Sequence, residues 1–319
     1  MKKVRGRRWN GLLSGMNANR TLLIKKIAVV AGAIAASLSM VACQVPDASA
    51  KDRRLVETYT APAATKTGNY GTESFQTYKV FTPAGWSASD SRNLVVFVHG
   101  GAWSFGTEDE VESVVMDLLA QGSVIVSIQY ELKASAFEQT SDIVKAVRWA
   151  QTNAKSLGAN AKRTFLAGHS AGAHLSLLTA VAPANLRGGN FVQPIVGVFA
   201  VAGPYGLNRA DYDPMILSTK VQSIIAEVNG CFVKCSQSEL DRISPLSYID
   251  RNDPAVYLVA GDADVLAPAS HALAVEAAYE AVGQGDRAWV DVVEGAQHQP
   301  GYGANGTYVS AFLSQAGTF

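Results

Sequence analysis

Leu94-Val95-Val96-Phe97-Val98 is apolar at every position, the pattern of a strand buried on both faces of a parallel sheet. Arg163-Thr164-Phe165-Leu166-Ala167, Ala255-Val256-Tyr257-Leu258-Val259-Ala260 and Ala288-Trp289-Val290-Asp291-Val292-Val293 also read as buried strands. Helical patterns lie between them. Ala173–Val181 carries the small and leucine-type residues of a buried helix, and a further helical stretch covers Pro268–Val282. The patterning also predicts helices over Glu108–Gln121, opened by a Thr107…Glu110 capping box, and over Phe137–Ser156. This alternation predicts an α/β fold with a mostly parallel, doubly wound central sheet and helices on both faces. There is no internal repeat or low-complexity block, and polar Ser49–Gly71 reads as a flexible lead-in.

The N-terminus breaks the pattern. Lys2 to Lys26 holds eight basic residues and no acidic one, and Ile27 to Ala42 is almost wholly apolar or small. That run is shorter than the ~20 residues of a spanning helix, so it reads as a signal peptide rather than a membrane anchor. Met16 would give it a more ordinary n-region. The expected organisation is therefore a signal peptide over residues 1–43, a lead-in over 44–71 and one α/β domain over 72–319. The chain of 319 residues is 48% hydrophobic, enough to bury a full core. It is neutral overall, but removal of the eight leader cations leaves 19 basic against 27 acidic residues, a net charge of −8. A mildly acidic mature protein gives no reason to expect nucleic acid as a partner.

Cysteines define the compartment. Cys231 and Cys235 are close enough in sequence to close a small disulfide in an oxidising space, and the absence of a second pair excludes a zinc ribbon. Cys43 follows Ser39-Met40-Val41-Ala42, which resembles a bacterial lipobox and makes Cys43 the expected lipidation site. Ala48-Ser49-Ala50 is the competing site for ordinary signal peptidase, which would leave a soluble secreted protein. Membrane attachment is expected through the lipid only.

Candidate chemistry gathers where the predicted strands end. Gly168-His169-Ser170-Ala171-Gly172 lies between the Arg163–Ala167 strand and the Ala173–Val181 helix. A G-x-S-x-G turn in that context resembles a nucleophile elbow, whose glycines let flanking chains pass closely while the helix start presents N–H groups to a developing anion. The alternative is a glycine-rich turn with a helix-capping serine. Leu94–Val98 runs into His99-Gly100-Gly101-Ala102-Trp103. A tetrahedral oxyanion needs preorganised N–H donors near ~3 Å, and a glycine loop brings its backbone that close. The N–H groups of Gly101, Ala102 and Ala171 are the expected oxyanion hole, with His99 bracing the loop. After the next strands come Asp262 and Asp264, then His298. The order serine, acid, histidine favours His298 as general base; spacing alone leaves Asp262 and Asp264 both open. Of the other histidines, His174 reads as a satisfied core side chain and His271 as solvent-facing.

With these motifs the chain resembles the α/β-hydrolase esterases that carry a His-Gly-Gly-x-Trp loop, including hormone-sensitive-lipase-like esterases, kynurenine formamidases and small feruloyl or acetyl xylan esterases. The resemblance covers roughly Val80 to Phe312 and extends to Gln129-Tyr130-Glu131-Leu132, Asp142 with Ala146-Val147-Arg148-Trp149, Asn153-Ala154, Leu157-Gly158 and Ser244-Pro245-Leu246. The family's Gly-x-x-Asp acid loop matches Gly261…Asp264, which selects Asp264 over Asp262. Ala102 replaces a third glycine and Glu131 an arginine, both pointing away from the lipase-like subgroup. The resemblance implies an α/β-hydrolase fold with a small cap from Gly203–Ser244, where Tyr205, Tyr212, Met215 and Ile216 would line an acyl site or simply pack. It implies Ser170, Asp264 and His298 cleaving small carboxylic esters without cofactor or metal. The alternatives are an aryl formamidase and a non-catalytic surface lipoprotein of the same fold.

Overall fold

The computed structural model describes residues 63–110, 113–207, 219–231, 235–298 and 306–316, all within the unit Arg54–Phe319. The signal segment, Cys43 and the Ala48-Ser49-Ala50 site lie outside the described residues.

Eight strands form one sheet: β1 (Lys66–Asn69), β2 (Thr77–Phe81), β3 (Arg92–Val98), β4 (Val124–Ile128), β5 (Ala159–His169), β6 (Ile195–Val201), β7 (Ala255–Gly261) and β8 (Ala288–Val293). Their order is β1-β2-β4-β3-β5-β6-β7-β8, with the first two pairings antiparallel and the rest parallel. The described helices are α1 (Ser113–Ala120), α2 (Ala136–Asn153), α3 (Ala171–Val181), α4 (Ala184–Arg187), α5 (Thr219–Val228), α6 (Gln237–Ile243), α7 (Ala269–Ala281) and α8 (Gly306–Gln315).

Side chains alternate across a strand, so the continuous apolar runs feed two cores. Leu94, Val96, Leu166, Val198 and Leu258 join Ile143 and Val147 of α2, Leu178 of α3 and Val275 of α7. Val95, Phe97, Phe165, Phe199 and Tyr257 face the other way, against Leu118 of α1 and Phe312 of α8. Burying each such side chain contributes about 1.5–3 kcal/mol, which explains why β3 from Leu94 to Val98 and all of β7 are apolar.

Three expectations change. Lys66–Asn69, assigned to the lead-in, is β1 and pairs with β2, while the next residue, Tyr70, is buried and donates to the Gln129 carbonyl. The run Lys-Thr-Gly-Asn is an exposed edge with no apolar alternation to announce it. The described part of α1 begins at Ser113, and among the described residues Glu110 N donates to the Thr107 carbonyl rather than to its side chain, so the expected Thr107…Glu110 capping box is not formed there. Thr107 Oγ1 accepts instead from the N–H of Asp109, while Glu108 and Asp109 bind the side chains of Thr77 and Lys79 on β2. Those contacts hold the segment as a turn. Capping boxes do open α2, at Ser135 and Glu138, and α6, at Ser236 and Glu239. Finally, His271 of α7 is fully buried, its Nδ1 accepting from the N–H groups of Tyr205 and Gly206.

The chain crosses from β4 back over β3 to β5. The connections that leave β3 and β5 therefore lead in opposite directions along the sheet, and in an open α/β sheet ligands bind at the carboxyl ends of strands at such a switch point.

Candidate active site

Ser170 is the single residue between β5 and α3, with φ 53° and ψ −120°. A non-glycine residue in that region stores roughly 1–3 kcal/mol and persists only when its surroundings hold it. Here its N–H donates to the Val201 carbonyl at 2.9 Å and its own carbonyl accepts from His174 N at 3.1 Å. Close approach explains the glycines. A Cβ on Gly172 would stand 2.0 Å from the Val98 oxygen, so α3 packs directly on the end of β3. A Cβ on Gly100 would lie 3.0 Å from His169 Nδ1 and 3.4 Å from Ser170 Cβ, so the loop after β3 rests on the elbow.

Two loops bring an imidazole and a carboxylate to this serine. Ser170 Oγ–H donates to His298 Nε2 at 2.8 Å, and His298 Nδ1–H donates to Asp264 Oδ2 at 2.8 Å. Asp264 is only 4% exposed, and its other oxygen accepts from the N–H groups of Leu266 and Ala267 at 2.8 and 2.9 Å. A buried carboxylate with both oxygens hydrogen-bonded is held in one orientation. Asp262 faces elsewhere: its Oδ1 accepts from Gly295 N at 2.6 Å, stitching the acid loop to the loop that carries His298. A hydroxyl bonded to an imidazole that is itself oriented by a carboxylate can pass its proton to that ring.

The loop after β3 supplies the anion-facing side. Gly101, Ala102 and Trp103 take φ values of 105°, 49° and 59°. This left-handed turn closes when the N–H groups of Ser104 and Phe105 donate to the Gly101 carbonyl. None of the turn and loop hydrogen bonds among the described residues uses the N–H groups of Gly101, Ala102 or Ala171. Consecutive backbone N–H groups in such a concave turn form a site for an anion. The turn is anchored at several points. Tyr130 OH donates to the His99 carbonyl, and Lys133 N and Gln139 Nε2 both donate to the Trp103 carbonyl. His99 is buried, stacked on Tyr130, with its ring nitrogens 2.7 Å from the Gly100 carbonyl and 2.5 Å from Gln129 Oε1.

The remaining histidines divide. The His169 ring lies 5.1 Å from that of His298. His174 is buried, accepts from the Trp103 indole N–H at 3.1 Å and donates to the Ile243 carbonyl at 2.7 Å. Burial lowers its pKa to about 4 against the opposing bond to Ile243. Gln139 was not expected from sequence. The signal was available, because it is a polar residue on the buried face of α2, and such a group needs partners.

In the excursion between β6 and β7, Tyr205 is buried and Cys231 is joined to Cys235 by a disulfide, while Tyr212, Met215 and Ile216 lie outside the described residues. Asn229 Oδ1 accepts from Ala136 N and so docks the end of α5 on the start of α2. Among the described residues, no group of three or more His, Cys, Asp or Glu is placed to hold a metal ion.

The BD-FAE family model matches residues 80–279. A kynurenine formamidase of Danio rerio is 30% identical over 152 residues, 48% of each chain. Esterase LipC of Mycobacterium tuberculosis is 31% identical over 195 residues, 56% of this chain and 46% of that one. The chain thus spans about half the length of the curated relatives it matches. Among solved structures, a truncated carbohydrate esterase from gut microbiota superposes with a TM-score of 0.68 at 19% identity, covering 82% of this chain and all of that one. A butyrate-bound esterase 2 of Thermogutta terrifontis gives 0.62 at 21% identity, covering 81% and 93%. These structures share the α/β-hydrolase fold with this chain.

Proposed function

The chain belongs to the BD-FAE family, and from that premise we propose that it is a serine hydrolase that cleaves short-chain carboxylic esters. The observation that carries this reading is the chain of hydrogen bonds from Ser170 Oγ to His298 and from His298 to Asp264. Ser170 Oγ attacks the ester carbonyl carbon as His298 Nε2 takes its proton. Asp264 stabilises the resulting imidazolium. Negative charge on the former carbonyl oxygen is met by the N–H groups of Gly101, Ala102 and Ala171. When the tetrahedral adduct collapses, the C–O bond to the alcohol breaks, and His298 returns its proton to the leaving oxygen. Water, deprotonated by His298, then releases the acid and restores Ser170.

The short-chain preference rests on the segment Gly203–Ser244, interrupted by Gly203, Pro204, Pro214 and Gly230 and clipped by the Cys231–Cys235 disulfide. A segment of this length and composition favours a small pocket over a long apolar trough. Each buried methylene adds about 0.8 kcal/mol only while the pocket still encloses it. The specificity constant toward p-nitrophenyl esters is expected to peak from acetyl to butyryl and fall beyond about six carbons. An optimum at dodecanoyl would overturn the preference.

Relatives named kynurenine formamidase, at 30% and 26% identity, favour a second reading in which the same groups cleave an aryl N-formyl bond. Activity restricted to formamides would establish it. Failure of a fluorophosphonate probe to label Ser170 would leave a non-catalytic lipoprotein. Export with lipid attached at Cys43 completes the proposal and makes an esterified polymer or nutrient outside the cytosol the expected target.

A further inference from the structure

His174 stands one helical turn after Ser170, and its ring nitrogens are used in opposite senses. Nδ1 accepts from the Trp103 indole N–H, and Nε2–H donates to the Ile243 carbonyl. Only the neutral tautomer protonated on Nε2 can make both bonds. The Trp103 and His174 rings meet edge to face, with centroids 5.4 Å apart and planes at 88°. Both residues are buried, at 4% and 1% exposure. Trp103 is also the last of the three left-handed residues whose first two are Gly101 and Ala102. Such a turn needs external anchors, and the His174 bond ties it to the helix beginning at Ala171.

The connection continues past His174. Ile243 precedes Ser244, whose Oγ accepts from Leu207 N and donates to the Leu240 carbonyl. One imidazole thus ties the loop after β3, helix α3 and the base of the excursion between β6 and β7. We propose that His174 is a positioning residue for the oxyanion hole: through Trp103 it holds the N–H groups of Gly101 and Ala102 in register with that of Ala171. Its activity arm rests on the serine-hydrolase reading; its structural arm does not.

Four proteins test it: His174→Phe, His174→Gln, Trp103→Phe and the double variant His174→Phe/Trp103→Phe. Phenylalanine at 174 keeps the ring but loses both hydrogen bonds. Glutamine can accept from the indole and donate to the carbonyl. With p-nitrophenyl acetate, His174→Phe is expected to lose about 100-fold in kcat with KM within about threefold, the signature of a misplaced transition-state donor. His174→Gln should return to within about tenfold of wild type, and the double variant should be no worse than the worse single one.

The second readout is hydrogen–deuterium exchange over residues 100–106. It should accelerate about tenfold or more in His174→Phe and Trp103→Phe and recover in His174→Gln. If His174→Phe fails to fold, Trp103→Phe and His174→Gln carry both readouts. Unchanged exchange in the folded variants overturns the proposal, as do multiplying losses in the double variant. A wild-type protein with no esterase activity rejects the hydrolase reading instead, and exchange alone then decides whether His174 positions the loop.

Discussion

Asp264 accepts the Nδ1 proton of His298 at 2.8 Å, while Asp262, two residues earlier, turns to the N–H of Gly295. The two carboxylates therefore predict different phenotypes. Asp264→Asn should cost about 10⁴-fold in kcat, because an amide can present its NH₂ to Nδ1 and impose the wrong tautomer. Asp262→Asn should stay within about tenfold, since an amide oxygen can still accept from Gly295 N. Steady-state kinetics on both proteins checks this, and the reverse ranking would move the acid to Asp262. Ser170→Ala and His298→Ala should each lose about 10⁴-fold or more with melting temperatures near wild type.

Gly172 tests the elbow independently of chemistry. A methyl group there meets the Val98 oxygen at 2.0 Å and the His99 oxygen at 2.4 Å, both of them backbone. Gly172→Ala must push α3 off the end of β3, and overpacking of this kind costs about 1–3 kcal/mol or more. The expected outcome is a clear fall in melting temperature together with lost labelling of Ser170 by a fluorophosphonate. A variant with wild-type stability and labelling would contradict the packing.

Acidification should act on His174. Its folded-state pKa is depressed from 6.5 to about 4, so between those values the unfolded chain binds a proton that the folded chain refuses. Its contribution to stability is present above pH 6.5 and is lost as the pH falls toward 4. The full effect is about 3 kcal/mol. His174→Gln removes this titration. The stability gap between wild type and variant, measured by urea unfolding, should shift against wild type as the pH drops through that window. A gap independent of pH would contradict a neutral, buried His174.

Export makes a prediction about mass. Lipidation at Cys43 predicts a mature chain beginning there, carrying acyl chains and partitioning into detergent, whereas a species beginning at Lys51 would refute it. Neither Cys231 nor Cys235 should react with a thiol reagent. Cys231→Ser should cost about 2 kcal/mol, since a separation of 4 residues closes only a short loop in the unfolded chain.

Strands β3, β5, β7 and β8 were legible in the sequence because a parallel strand buried on both faces must be apolar along its buried length, as Leu94–Val98 of β3 and Ala255–Gly261 of β7 are. The position of Ser170 between β5 and α3 was legible for a related reason. Gly168 and Gly172 report a close backbone crossing that tolerates no side chain. Local pattern failed where distant partners decide. Nothing within Lys66–Asn69 or Thr107–Glu110 announces β2, the strand that claims them. The alanine-rich α7 has no strong polar face, so its sequence could not tell that His271 turns inward to the N–H groups of Tyr205 and Gly206. Likewise spacing alone left Asp262 and Asp264 equal. Only the pairing of β7 with β8 brings their loops side by side, delivering one carboxylate to His298 and the other to Gly295. Hydrophobic periodicity is a property of each segment and survives in the sequence. A hydrogen-bond partner dozens of residues away is set by strand order, which exists only once the sheet has formed.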